Sequence, residues 1–539
     1  MGDPPALLFI FLEWAIMTKY VIRRTVHGLI SVAIVVAIVM ILIYGLMDRN
    51  MIFAKDPNFT HINNNKKITY KYKKWEDYGY LHYVSFSDYL QELADSGEID
   101  EETRSAAVAL GKTEDKDSDL TKQYVEEFTK IYTEKGYKIE RLDAVLMNGK
   151  KVAEGGQAAL FAYKDIPLIT RLGKYFSSLI TIDNIHKVKG DVGERKLTFT
   201  LHDPVYGGEK FSPAIIGNGT KHKYLLYFDS QFPYLHQNLI KISLGKSYSV
   251  NQGVDVADTM VQAQGSFVKS TITFPTGLVE ESADDLHTAT YLAGSRTSSK
   301  LIEQRFADDY TNIQTVKGQK SKLGFSFVNG ILSAILTYLI AVPCGILMSK
   351  RKDKLADKIG TIYIVIVIAV PSLAYIFLVR AIGGNLGLPT TFDLEKSTRL
   401  MYVLPIISLS LPGIGNIMRW LRRFMIDQMN MDYVKFARSE GLTEGEIFSK
   451  HILKNAAIPI IQGIPGTILF AMTGAIITER VYVVPGAGGL LVDSINKYDN
   501  SVIVGVTLFY AILSVVSYLL GDVLMAAVDP RISFTTKDR

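Results

Sequence analysis

The chain has 539 residues, a single cysteine, a formal net charge of +5 and 48% apolar residues. A mean hydropathy of +0.15 sets it apart from ordinary soluble proteins, and the slight basic excess does not point to nucleic acid. Cys344 excludes an internal disulfide and, lying in an apolar run, reads as a small buried hydrophobe.

Residues 1–16 are apolar but short for a span and lack the basic n-region of a signal peptide. They read as an upstream extension without function, with Met17 opening the basic flank of the first span. Six stretches are long and apolar enough to cross about 30 Å of hydrocarbon: 26–47, 325–349, 359–380, 401–418, 456–478 and 501–528. The fourth is the shortest and is broken by Pro405 and Pro412. Pro343, Pro371, Pro459 and Pro465 interrupt others. Such prolines are tolerated where neighbouring helices satisfy the freed backbone groups, which favours a packed bundle over isolated anchors.

Basic residues give the orientation. Lys19, Arg23 and Arg24, the run Lys350 to Lys358, Arg419, Arg422 and Arg423, and Arg531, Lys537 and Arg539 all fall on one side if both termini are cytoplasmic. Residues 48–321 are then outside. They read as a compact α+β domain. Ser118 caps a helix whose Leu120, Tyr124, Phe128 and Tyr132 share one face, with Gly136 beyond its end. Segments 196–203 and 267–275 alternate like strands. Residues 166–182 are amphipathic, as expected of a segment lying along a membrane surface. The run Ser-Leu-Gly-Lys-Ser at 243–247 hints at a phosphate loop, but Ile240 stands where that motif needs glycine. No His-Glu-x-x-His, paired Cys-x-x-Cys or Gly-x-Ser-x-Gly pattern occurs, so nothing in the sequence supports catalysis or a metal site.

The charged stretch 430–455 joins the fourth and fifth spans. Asp432 is placed to cap a short helix, 433–440, which Gly441 ends in the left-handed conformation. Thr443 and Glu446 have capping-box spacing, so a second helix starts near Glu444 and runs through Ile447, Phe448 and Ile452 into the fifth span. Two specified helix ends around a glycine point to a docking element rather than a loose connector. Glu479 and Asp522 are the carboxylates of the membrane region, and both read as helix-packing groups at its edge.

The stretch FARSEGLTEGEIFSKHILKNAAIP resembles the cytoplasmic signature of type I ABC importer permeases in the form used by the peptide and nickel branch. Ala437, Arg438, Gly441, Leu442, His451, Leu453 and Asn455 fit that form. Lys435, Phe436, His451 and Lys454 depart from the general signature. ITERVYVVPGAGGLLVDSI, LLGDVLMAAVDPRI and KYVIRRTVHGLISV resemble further segments of the family. TKHKYLLYFDSQFPYLHQN and RNMIFAKDPN resemble its Ami and Opp oligopeptide permeases of Gram-positive bacteria.

The resemblance implies a B-type permease of six transmembrane helices. Residues 17–47 form the first span, 48–321 a large extracytoplasmic insert, and 322–535 a five-helix core. It implies that 433–440 is a coupling helix seated on an ATPase. Val434, Phe436, Ala437, Arg438, Glu440, Gly441, Leu442, Glu446, Phe448 and His451 belong to that coupling region. It further implies no cofactor in this chain, ATP and Mg being bound by two cytoplasmic ATPases of D and F type. The other partners would be a C-type permease, an extracellular peptide-binding lipoprotein, an oligopeptide substrate and membrane lipid. Rival readings are the same machine carrying nickel or glutathione, or a membrane-anchored surface receptor. The spans hold no cluster of His, Cys or Met suited to nickel.

Overall fold

The computed structural model describes residues 4–528 except 63, 112–118, 143, 148–149, 154–159, 189–191, 204–210, 229–234, 263, 265–266, 269, 274–278, 283–289, 292–305, 308–314, 317–319 and 397. The chain begins with α1 (Pro4–Leu46), one continuous helix, so the backbone of residues 4–16 runs straight into the first span. Its segment Thr18–Leu46 is long and apolar enough to cross a membrane.

After the short helical turns Arg49–Phe53 and Pro57–His61, the insert contains α2 (Asn64–Asp77), β1 (Leu81–Ser85), α3 (Phe86–Asp95), α4 (Glu101–Gly111), α5 (Asp119–Glu134), β2 (Lys138–Arg141) and β3 (Leu160–Asp165). β3 is central in an antiparallel sheet of order β1-β3-β2, with Ser85 opposite Phe161 and Arg141 opposite Leu160. Phe86, Tyr89 and Leu90 of α3, Ala107 of α4, and Phe128 and Tyr132 of α5 form one core with Leu160 and Ala162. The expected face of α5 is thus half right: Phe128 and Tyr132 are buried, while Leu120 stays 41% exposed. Gly136 ends the helix at φ +77°, and Tyr137 N donates to Tyr132 O at 2.8 Å. The expected cap, Ser118, lies outside the described residues.

Next come α6 (Leu168–Ser178), β4 (Ile180–Ile182), β5 (Leu197–Thr200), β6 (Ala214–Gly217), β7 (Tyr224–Phe228), β8 (Leu235–Gln237), β9 (Ile240–Ile242) and α7 (Val256–Val261). β5 to β8 make a sheet of order β8-β7-β6-β5, and β4 pairs with β9 as a separate ribbon. The strand read at 196–203 is β5, and that at 267–275 resolves into the short pieces Phe267–Val268 and Ser270–Thr273.

The permease half comprises α8 (Lys322–Lys350), α9 (Leu355–Ala369), α10 (Ser372–Asn385), α11 (Val403–Met429), α12 (Asp432–Ser439), α13 (Glu444–Gln462), α14 (Ile464–Tyr482), α15 (Ala487–Asn496) and α16 (Asn500–Val528). The prolines act differently in three of the expected spans. The third is interrupted at Pro371 as expected, α9 and α10 meeting at 111°. Pro371 lacks an N–H and disfavours helical geometry in Val370, which is extended at ψ 129°. α10 then packs through Ile376 against Phe325, Leu404 and Tyr482, at the insert end of the bundle.

The fourth span is not broken but is a continuous helix. Pro405 falls in its first turn, where an N–H has no helical partner. At the level of Pro412, hydroxyls of neighbouring helices bond its carbonyls: Tyr363 donates to Leu411 O at 2.8 Å and Thr337 to Ser410 O at 3.4 Å. The fifth is bent by 41° between α13 and α14, around Gly463.

Candidate functional site

α12, the turn after it and the start of α13 form a compact unit at the end of α8 and α11. Val434 and Ala437 of α12 pack with Leu421 and Met425 of α11 and with Ile447, Phe448, Ile452 and Ala456 of α13. All eight are buried, Val434, Met425 and Ile447 completely. Fully burying a side chain of Val, Ile or Met size is worth roughly 1.5–3 kcal/mol, so this cluster fixes α12 rigidly to the bundle.

The helix end follows the expected chemistry. Gly441 lies at φ +85°. Leu442 N donates to Ala437 O at 3.2 Å and Gly441 N to Arg438 O at 3.1 Å, the paired bonds of a Schellman motif. The capping box is complete: Glu446 N donates to Thr443 Oγ1 at 3.3 Å, and Thr443 N to Glu446 Oε2 at 3.2 Å. Arg438 grips Glu444 across the turn at 2.7 and 3.3 Å, a fork that the spacing of six residues did not announce.

The helix start is corrected: Met431, extended at ψ 151°, is the N-cap, and α12 ends at Ser439. Asp432 is the first helical residue and accepts from Lys435 Nζ at 2.8 Å. An acidic residue in the first turn still favours the positive helix end. Ile447–Ile452 forms a π-helical turn that the sequence reading missed; no glycine or proline marks it.

Burial divides the expected coupling residues into two sets. Val434, Ala437 and Phe448 face inward and cannot touch a partner, and Lys350 Nζ lies 4.7 Å above the Phe448 ring. His451 is half-buried, its ring 6.4 Å from that of Tyr433. Leu442 and Glu446 are also partly covered. Phe436, Arg438, Glu440 and Gly441 are exposed, and Phe436 leaves 64% of its surface uncovered. Phe436 is thus an exposed aromatic ring at a tip otherwise bearing Lys435, Arg438 and Glu440.

The two membrane-region carboxylates hold separate joints. Glu479 is buried, accepting from Ser326 Oγ at 2.6 Å and Gly489 N at 2.9 Å. The Ser326 hydroxyl in turn accepts from Ala487 N at 2.9 Å. A Cβ on Gly486 would collide with the Glu479 carboxylate, which accounts for the glycine-rich turn before α15. Asp522 ties α16 to α1, accepting from Tyr20 Oη and Arg24 Nε, each at 3.1 Å, and from Gln462 Nε2 at 3.4 Å. Arg422 forks onto Asp357 at 2.6 and 2.7 Å between α11 and α9.

Sequence reasoning missed one further joint. Asp499, fully buried just before α16, accepts through Oδ2 from Ser247 Oγ at 2.7 Å. The same oxygen takes the backbone N–H groups of Tyr248, Ser249 and Val250 at 2.8, 2.9 and 3.1 Å. The segment that mimics a phosphate loop therefore cradles an anion, but the anion is the chain's own carboxylate.

Long apolar helices, two of the spans bent, and a compact charged turn packed on their end define a polytopic membrane protein. Residues 341–534 match the family described as binding-protein-dependent transport system inner membrane component. The oligopeptide transport system permease protein AmiC of Streptococcus pneumoniae is 34% identical over 528 residues, covering 97% of this chain and 99% of that protein. The dipeptide transport system permease protein DppB of Lactococcus lactis is 33% identical over 41% of this chain and 73% of its own length. For the oligopeptide transport system permease protein AppB of Bacillus subtilis the figures are 32%, 38% and 67%. The chain belongs to this family of ABC importer permeases.

Proposed function

We propose that this chain is the B-type permease subunit of an ABC importer that moves oligopeptides across the cytoplasmic membrane. The observation that carries the cargo is likeness over nearly the full length, insert included, to an oligopeptide permease. Shorter matches reach no more than 41% of the chain, among them a glutathione permease of Salmonella choleraesuis at 31% identity over 38% of it.

In this reading α12 and its turn lie in the cytoplasm, where the exposed Phe436 seats in a cleft of one of two ATPases, of D and F type. Those subunits bind ATP and Mg and do the hydrolysis. A C-type permease completes the pathway, and a peptide-binding lipoprotein delivers cargo from outside. Both termini are cytoplasmic and residues 48–321 are outside. The basic clusters support this side, since Arg24, Arg422 and Lys350 all lie toward the α12 half of the bundle.

The test is uptake in cells lacking the chromosomal copy: the chain with its partners restores oligopeptide uptake and leaves nickel and glutathione uptake unchanged. Phe436→Ala keeps membrane abundance and loses most ATPase co-purification, because an interface anchor is worth about 2 kcal/mol or more. Normal co-purification would place the docking contact elsewhere.

A further inference from the structure

The ribbon β4–β9 carries four isoleucines on one face. Ile180 opposes Ile242 and Ile182 opposes Ile240. Directly opposed residues of an antiparallel pair share a face, as do residues two apart along a strand. The four are 61%, 58%, 56% and 47% exposed in the order Ile180, Ile242, Ile182, Ile240. Thr181 and Lys241 take the other face, where Lys241 pairs with Asp258 at 3.7 Å. Isolated exposed apolar residues are ordinary, but a contiguous apolar face with its polar residues all behind it marks a surface made to be covered.

The position of the ribbon says what covers it. Leu179, just before β4, packs on the cluster of Val36 and Met40 of α1 with Val502 to Leu508 of α16, and Leu244, just after β9, belongs to it. Ser243 N donates to Leu179 O at 2.9 Å, closing the ribbon at that point. A Cβ on Gly505 of α16 would lie 3.0 Å from the Leu244 Cβ. On α6, Arg171 sits 4.1 Å from the Tyr44 ring and 4.0 Å from the Tyr80 ring, so this helix lies at the insert end of α1.

Depth follows from helix rise. Asp522 and Arg24 are paired, and about 20 residues of helix cover the roughly 30 Å of hydrocarbon. Counted from that pair, the far apolar boundary falls near Val502 on α16 and Tyr44 on α1. The ribbon leaves the bundle at the level of Gly505, within about one helical turn of that boundary. Ile38, Ile41 and Leu42 on the last turns of α1 before that boundary are likewise 51%, 47% and 52% exposed.

We propose that the isoleucine face of the β4–β9 ribbon is immersed among the acyl chains of the outer leaflet, as an interfacial anchor that holds the insert against the membrane. The inference is independent of the cargo and takes only the name of the leaflet from the topology proposed above.

The experiment places single cysteines at Ile182, Ile240, Thr181 or Lys241 in a Cys344→Ser background and labels each with a bimane fluorophore. The importer with all its subunits is reconstituted in phosphatidylcholine vesicles that carry a nitroxide high on the acyl chain. Quenching about threefold stronger at the two isoleucine positions than at Thr181 and Lys241 is expected. Equal quenching on the two faces overturns the proposal. So does strong quenching at Ile182 and Ile240 in the chain alone that disappears in the complete importer, because a protein partner then covers the face.

Discussion

Gly441 and Asp499 show two kinds of residue on which single atoms depend. At φ +85° Gly441 has open space around it, so its requirement is conformational rather than steric. A β-branched residue there costs about 1–2 kcal/mol locally by entering the left-handed region. Gly441→Val should leave membrane abundance unchanged and reduce both ATPase co-purification and peptide uptake. Normal uptake would make it an ordinary loop glycine. Asp499 is the opposite case, held by three backbone amides and a serine hydroxyl contributed by the insert. Asp499→Ala leaves the buried donors Ser247 Oγ and Tyr248 N without this acceptor, at about 1–3 kcal/mol each. Hydrogen exchange in 243–261 should rise by at least tenfold while α12 keeps its protection, and unchanged exchange would mean that the insert is held elsewhere.

At the scale of the element, the turn between α12 and α13 is a unit of polar bonds on a buried apolar base. Hydrogen bonding from the Arg438 guanidinium lowers the pKa of Glu444, and bonds from the Thr443 hydroxyl and amide lower that of Glu446. A carboxylate depressed in the folded state contributes stability above its unfolded pKa and loses it as pH falls through the folded one. ATPase co-purification should therefore be flat near neutrality and fall on the acid side of the ordinary glutamate range. Glu446→Gln should lower it already at neutral pH and flatten the acid fall. An acid fall of equal size in the Glu444→Gln, Glu446→Gln double variant would assign the effect to the partner. The bend at Val370–Pro371 works differently: Val370 before the proline is extended and α9 stops there, while α11 continues through Pro412.

For the whole molecule, the insert and the bundle are one mechanical body joined at Asp499, at the Tyr44–Arg171–Tyr80 stack and at the Asn500–Tyr80 bond of 3.0 Å. A load placed on the insert by a docked binding protein would reach α16 directly. A Lys122→Cys, Cys344→Ser variant should react with an impermeant maleimide in intact cells, Lys122 being exposed on α5. Reaction only after lysis would reverse the topology. The purified chain alone should hydrolyse no ATP, since the amides around Ser247 are occupied by Asp499. Measurable turnover free of partners would sink that reading.

What the sequence determined by itself was whatever depends on neighbours a few residues apart. The apolar runs, the capping box of Thr443 and Glu446, and the left-handed Gly441 all rest on bonds spanning three to five positions, so composition and spacing suffice to read them. Only the tertiary structure decided which of the expected coupling residues face inward, because Val434 and Ala437 are sorted from Phe436 by Leu421 and Met425 on another helix. Nor could periodicity tell that α11 would run on through Pro412 as one helix. The joint between Ser247 and Asp499 closes across 252 residues, and no local pattern records such a pairing. The isoleucine ribbon likewise exists only once β4 meets β9, when two short strands with no apolar run of their own bring four side chains to one face at the edge of the membrane.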